Sequence, residues 1–228
     1  MAWNVNDTYN FMKWLVRKNQ TGLISATDFF YAWNSEQTTV QTDLIGNWHK
    51  INNTKQGINT GLIQNAVIMT ALSPFVLNDT ISITSGIGLK PANLIYTLAL
   101  RINGKQVFEV NHDQIAAVND DVIDTPSITE NAYYYSEYNS GGQLAYSFLP
   151  NTVTEFELDY IVGCTDVVWG YSLDGNQRQV YNSGSSTQPQ WLQPQIVEIT
   201  KRTLKALGVS FKDGDFEQYG QSITQTGD

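Results

Sequence analysis

Leu94-Ile-Tyr-Thr-Leu-Ala-Leu-Arg-Ile102, then Asn103-Gly104, then Lys105-Gln-Val-Phe-Glu-Val110: this stretch decides the fold class. Asn-Gly accepts positive φ at both central positions of a tight turn, and both flanks are rich in residues that suit a pleated strand. The reading is an antiparallel hairpin. Two more are predicted downstream. Leu144-Ala-Tyr-Ser-Phe-Leu149 and Thr154-Glu-Phe-Glu-Leu-Asp-Tyr160 flank Pro150-Asn151, and Val167 to Ser172 and Gln177 to Tyr181 flank Asp174-Gly175. In the strand from Thr154, Phe156, Leu158 and Tyr160 alternate with Glu155, Glu157 and Asp159, which makes one face apolar. The run Tyr133 to Tyr138 leads into a loop at Ser140-Gly-Gly142, and His112 to Asp124 reads as a short helix or exposed turn.

Outside this β region the period changes to that of a helix. Asp7 is read as the cap of a first helix carrying Tyr9, Phe11, Met12, Trp14, Leu15 and Val16, with Gly22 in the left-handed position after it. Ser25-Ala-Thr-Asp28 opens a second helix as a capping box, with Phe29, Trp33, Val40 and Leu44 on one stripe and Gly46 closing it. Residues 51 to 65 read as a surface loop, followed by an apolar stretch from Ala66 to Leu72. Trp191 to Leu207 is an amphipathic helix, with Ile196, Ile199, Thr200, Thr203, Leu204 and Leu207 on its apolar face and Gly208 as its stop. The expected architecture is therefore α+β: an N-terminal helical hairpin and a C-terminal helix packed with a central antiparallel β region. The expected divisions are a helical hairpin over 1–47, a mainly antiparallel region over 48–182, a helix over 183–211 that packs back on the hairpin, and an extended tail over 212–228. All belong to one composite domain.

Composition narrows the function classes. The 228 residues are 41% hydrophobic and 12% aromatic, enough for a core, yet only 15% charged. Asn, Gln, Thr and Ser supply the remaining polarity. Uncharged polar groups cost less to desolvate than ions, which suits a chain that packs against copies of itself. Net charge is −9, which argues against a module held on nucleic acid by phosphate neutralisation. The same sign fits a wall past which DNA slides without sticking, although most soluble proteins are mildly acidic for solubility alone. The single cysteine, Cys164, excludes an internal disulfide and a cysteine zinc site, and its apolar neighbours suggest a buried residue. No apolar run is long enough for a transmembrane helix, and MAWNVNDTYN lacks the basic and apolar regions of a secretion signal, so the chain is expected to be soluble with no membrane anchor.

Few residues are placed to carry chemistry. His49 and His112 are the only histidines, and only His112-Asp113 offers even a pair of metal ligands. Asp113, Asp120, Asp121 and Asp124 lack calcium-loop spacing. Glu155, Glu157 and Asp159 with the tyrosine run could form a glycan site, against the plainer reading of a solvent-facing strand beside packed tyrosines. No nucleophile elbow, phosphate loop or dinucleotide fingerprint is present. The expectation is a non-enzyme with no cofactor, no metal and no catalytic residues.

Two regions carry a resemblance. From Phe11 to Leu44 a helix reaches Lys18-Asn19-Gln20-Thr21-Gly22, continues through Ile24-Ser25 and resumes at Asp28-Phe29-Phe30-Tyr31-Ala32-Trp33-Asn34. Further on, the strand Thr154 to Tyr160 leads into Asp166-Val167-Val168-Trp169-Gly170-Tyr171. The last helix ends in Leu204-Lys-Ala-Leu207-Gly208-Val209 before Asp213 to Tyr219. These segments resemble the head-to-tail connector ring proteins of crAss-like and related short-tailed phages. The chain departs from that pattern at Thr165-Asp166, where lysines and prolines are expected, and its middle, 48 to 145, has no counterpart.

The resemblance implies a virion structural protein of the neck or tail, assembled in the host cytoplasm. It would form a homo-oligomeric ring of twelvefold symmetry that continues the portal channel, supports genome retention and ejection, and passes DNA without sequence-specific binding. Its partners would be the portal and adjacent ring and tail proteins. Trp169, Tyr171, Trp191, Phe216 and Tyr219 are the interface candidates, because aromatics dominate interface energetics; for the tryptophans and Tyr171 a plain core role is at least as good a reading. The alternatives are a tail-tube, fibre-attachment or capsid-decoration subunit, or, from another class, a carbohydrate-binding module or glycan hydrolase.

Overall fold

The structure, a computed structural model, describes residues 3–18, 24–53, 58–111, 114, 118, 126–127, 133–140 and 142–208. It is α+β, as expected, with helices at both ends and a β region between them. The chain divides into two compact units, Phe75–Gly163 and the pair of segments Met1–Pro74 and Cys164–Asp228. The hairpin around Asp174-Gly175 thus groups with the helices and not with the β region.

The first unit is a sandwich of eight strands among the described residues: β1 (Val76–Ser82), β2 (Ile87–Leu89), β3 (Leu94–Ile102), β4 (Lys105–Gln106), β5 (Phe108–Glu109), β6 (Tyr134–Ser140), β7 (Gln143–Leu149) and β8 (Glu155–Val162). One sheet has the order β1-β8-β3-β4 and the other β2-β7-β6-β5. Asn103 and Gly104 take φ of 52° and 72°, so the turn chemistry that predicted the β3–β4 hairpin is realised. The returning strand is short. At Val107, which is buried, the chain leaves the first sheet, and β5 joins the second by pairing parallel to β6.

The expected hairpin across Pro150-Asn151 does not form. β7 pairs with β6 and β2, whereas β8 pairs with β1 and β3 in the opposite sheet. The apolar face of β8 explains this, because Phe156 and Leu158 belong in the core between sheets and have nothing to bury against in an isolated ribbon. Phe148 and Phe156 meet across the gap with ring centroids 4.8 Å apart, and Tyr146 reaches Phe156 at 5.6 Å. Gly88 makes this approach possible, since a Cβ there would lie 2.5 Å from the Phe156 ring.

The second unit contains α1 (Val5–Lys18), α2 (Ala26–Asn53), α3 (Ile58–Leu72), α4 (Gln193–Ala206) and the ribbon β9 (Tyr171–Leu173) with β10 (Gln179–Tyr181). The cap of α1 is Asn4 and not Asp7. Asn4 Oδ1 accepts the Asp7 N–H at 2.9 Å, and the Asp7 carboxylate accepts the Asn4 N–H at 3.1 Å, a reciprocal box set one turn earlier than expected. At α2 the predicted box holds, with the Asp28 N–H donating to Ser25 Oγ at 3.1 Å. Gly46 does not end α2. It is exposed in mid-helix, where it costs only about 1 kcal/mol, and Ile45 beside it is buried. The helix therefore runs on to Asn53. The expected loop over 51 to 65 is largely replaced by α3, whose apolar residues follow no single stripe and so give no helical signal.

Helices α2 and α4 pack along most of the predicted faces. Phe29, Phe30, Trp33 and Val40 are buried from α2, and Ile196, Ile199, Thr200, Thr203 and Leu204 from α4, whereas Leu44 is only half-buried and Leu207, just past the end of α4, is exposed. The Trp33 indole donates to Thr200 Oγ1 at 3.4 Å, and at the surface Arg202 reaches Asp43 at 2.8 Å. Gly208, at φ 77°, follows α4 as read from the sequence. No helix among the described residues is long and apolar enough to cross a membrane.

Candidate functional site

In the helical unit the informative arrangement is a clamp. On α2, Asn34, Gln37 and Gln41 occupy successive turns of the face turned toward the segment Cys164–Val167. Asn34 grips Val167 twice, donating Nδ2–H to its carbonyl at 3.1 Å and accepting its N–H at 2.9 Å. Gln37 donates to the Thr165 carbonyl at 3.1 Å, and Gln41 accepts the Cys164 N–H at 3.2 Å. Both glutamines are 1% exposed, so an extended segment that belongs to no sheet has its backbone groups satisfied by side chains. Burial raises the pKa of the Cys164 thiol, which therefore stays a neutral packing group.

The clamp positions the aromatic motif that follows. Trp169 sits 4.9 Å from Tyr9, stacks on Tyr171 at 5.9 Å and lies 6.1 Å from Tyr181, while its indole N–H donates to Asn6 at 3.3 Å. It is half-buried and anchors the base of the β9–β10 ribbon. Gly170 is required there: its N–H donates to Ser186 Oγ at 2.9 Å, and a Cβ would strike Ser185. Beyond Trp169 the ribbon is bare. Tyr171, Leu173 and Val180 are 47%, 59% and 49% exposed. Tyr171 pairs with Tyr181 and Val180 with Ser172, so apolar groups stand on both faces.

Trp191, by contrast, is 4% exposed and donates to Gln37 Oε1 at 3.2 Å, which puts it in the core of this unit with no face to offer a neighbour. Phe216 and Tyr219, with the rest of the 212–228 tail, lie outside the described residues, as do His112, Asp113, Asp120, Asp121, Asp124 and Gly22. Among the described residues no three His, Cys, Asp or Glu side chains are grouped to hold a metal.

The carboxylates singled out on β8 are not gathered into a cleft. Asp159 is taken up by Arg101 at 2.6 Å and Asn78 at 2.5 Å, across strands β3 and β1. The Asn78 hydrogen bond and the Arg101 charge hold its pKa below the ordinary carboxylate value. Tyr133 and Tyr135 are buried and form no exposed platform for a sugar ring.

A polar cavity of about 410 Å³ opens instead at an edge of the sandwich, between β3 and the β5–β6 pair. Lys90 lies on its wall with only 9% of its side chain exposed, 2.7 Å from Glu137 and 4.6 Å above the Tyr146 ring. Tyr135 donates to Glu109 at 3.3 Å, and the Tyr146 hydroxyl meets Thr97 Oγ1 at 2.6 Å. Burial raises the pKa of both phenols, with Glu109 and Glu137 adding to it, and pushes Tyr146 up to about 12. Sequence reading missed this set. Lys90, Glu109 and Glu137 are far apart in the chain, and the parallel β5–β6 pairing that joins two of them has no local signal.

Comparison with protein-family models finds no match, and comparison with curated proteins finds none.

Proposed function

We propose that this chain is a non-enzymatic virion subunit that closes into a ring in the head-to-tail connector of a tailed phage. There it would continue the portal channel and support genome retention and ejection. The observation that carries the reading is the clamp. Asn34, within the resembling segment Phe11 to Leu44, holds Val167 of the Asp166–Tyr171 motif, and Gln37 on the same helix receives Trp191 ahead of the last helix. Segments that share a resemblance but lie more than a hundred residues apart thus act as one structural device.

The ribbon supplies the contact. A two-stranded ribbon is marginal in water by itself, and one with Leu173 and Val180 bare on opposite faces gains from being covered. Seated on the next subunit, it makes a heterologous contact that stops growing only when rotation closes the ring. A low proportion of charged residues reduces the desolvation cost of that contact.

The test is the mass of the purified chain by size-exclusion chromatography with light scattering, followed by negative-stain imaging, alone and with portal-bearing particles. Closed rings that disappear in Leu173→Asp with Val180→Asp, while tryptophan fluorescence stays native, are the expected result. A chain that remains monomeric alone and does not join portal-bearing particles refutes the reading.

A further inference from the structure

The cavity lies at an open edge of the sandwich, where β4 covers β3 only at Arg101 and Ile102 and the β5–β6 pair faces the uncovered part. Ile95, Gln106, Glu109 and Glu137 on its walls are exposed, so the site is open to a solute. An ammonium and two carboxylates line it. A lysine with 9% of its side chain exposed must give up most of its hydration, which its Glu137 partner and the Tyr146 ring only partly replace. Such an arrangement is commoner at sites that bind something than in cores that merely pack.

The charges indicate what would bind. Lys90 is occupied by Glu137, so that pair is neutral. Glu109 has no basic side chain within ion-pair distance among the described residues. Its one side-chain hydrogen bond there is the long one from Tyr135, and the residue is exposed, so its carboxylate otherwise meets water, which an incoming cation would replace. Tyr96 and Tyr135 line the same cavity, and the π faces of phenol rings attract positive charge. A neutral polyol would make no use of the surplus negative charge. We propose that this cavity is a binding site for an organic cation, a guanidinium or primary ammonium group, seated on Glu109 and walled by tyrosine rings. The group could belong to a free small cation or to an Arg or Lys side chain of a partner protein. This inference is independent of the ring assignment.

The test is NMR on the full chain with ¹³C-labelled tyrosine. The probes are butylguanidinium, N-acetyl-arginine methylamide and the uncharged N-acetyl-citrulline methylamide, each titrated to about 10 mM, the range of single-group affinities. Both cations should shift Tyr96 and Tyr135, and the citrulline compound should not. A capped arginine that binds tightly where butylguanidinium binds weakly points to a partner side chain; equal binding points to a free cation. Glu109→Gln should weaken binding by about tenfold or more, the worth of one charge-assisted hydrogen bond. Glu155→Gln, on the outward face of β8, should leave it unchanged. Glu109→Asp, which keeps the charge but withdraws it, serves as the second variant if Glu109→Gln loses its native spectrum; it should weaken binding several-fold. The proposal is overturned if neither cation shifts these tyrosines, or if the citrulline compound binds equally well. Unchanged affinity in the Glu109 variants, or the same loss in Glu155→Gln, also overturns it.

Discussion

Replacing Asn34 by Ala should be among the most damaging single changes in the helical unit, and the structure indicates how much. The Asn34 amide makes two hydrogen bonds to one residue, to the carbonyl and from the N–H of Val167, which is 2% exposed. Truncation leaves both backbone groups without a partner in a site that water reaches poorly, and each such group costs about 1–3 kcal/mol. Water entering the space of the missing amide recovers part of that, so the expected loss is about 2–4 kcal/mol. That is a large share of the roughly 5–15 kcal/mol that holds a domain together. The assay is favoured by the distribution of tryptophan. All six residues, Trp3, Trp14, Trp33, Trp48, Trp169 and Trp191, lie in the helical unit and none in the sandwich. Tryptophan fluorescence in a urea titration therefore follows this unit alone. Asn34→Asp tests the geometry, because it keeps the acceptor for the Val167 N–H but faces the carbonyl with a carboxylate in place of a donor; it should be at least as destabilising as Ala. Thr39→Ala is the control, since that hydroxyl bonds only within its own helix at an exposed position. A midpoint shift for Asn34→Ala worth less than about 0.5 kcal/mol, at unchanged slope, would refute the reasoning.

Gly170→Ala should destabilise the ribbon base by about 1–3 kcal/mol, because the new methyl strikes the Ser185 carbonyl and that segment is itself tied to Gly170 through Asn182 and Ser186. The same urea titration reads it, and a neutral result means the segment moves aside freely. The sandwich should fail at alkaline pH. Tyr146 and Tyr160 have folded-state pKa values raised to about 12 and Tyr135 is raised as well, against about 10 in an unfolded chain. A raised pKa contributes stability that is complete below pH ~10 and is lost as the pH climbs toward 12. Absorbance at 295 nm should show these phenols ionising late and together with loss of the β signal in circular dichroism. Twelve tyrosines titrating as one class near pH 10 in an intact fold would contradict this.

What could be read in advance followed the range of the interactions. Asn103-Gly104 and the Ser25–Asp28 box were legible because their chemistry is local: the residues that signal each feature are the residues that make it. The cap of α1 was misplaced by one turn because Asn4 and Asp7 bond reciprocally, and either could be the cap from sequence alone. The Pro150-Asn151 turn misled for a different reason. A turn dipeptide brings no information about which strand its neighbours pair with, and β7 and β8 each found partners far along the chain. The candidate sites divide in the same way. The aromatic motif at Trp169 was visible as a pattern, but the reason for Asn34, a grip on a backbone 133 residues away, was not. Trp191 was ambiguous because a tryptophan looks alike in a core and at an interface until its surroundings are known.

The two units can also be separated by experiment, and the pairing of β1 with β8 says how. Val76 and Ile161 are directly opposed in that antiparallel pair, so the chain enters and leaves the sandwich at points about 5 Å apart. A sandwich with adjacent ends adds no span to the chain that carries it. Most of the resembling segments lie outside it, since only the strand from Thr154 to Tyr160 falls within. If the helical unit is the part that makes rings, the sandwich is a module carried on it. Exchanging residues 76–162 for a short Gly-Ser linker should then leave the clamp intact, because its contacts between α2 and the segment after Gly163 do not involve the sandwich. The expected result is a cooperative urea transition by tryptophan fluorescence, with native emission and unchanged assembly mass. Loss of that transition would mean that the helical unit needs the sandwich to fold. A folded unit that no longer assembles would move the ring contact from the ribbon to the sandwich, where Leu77, Leu89, Ile95, Phe108 and Leu144 are exposed apolar groups available to make it.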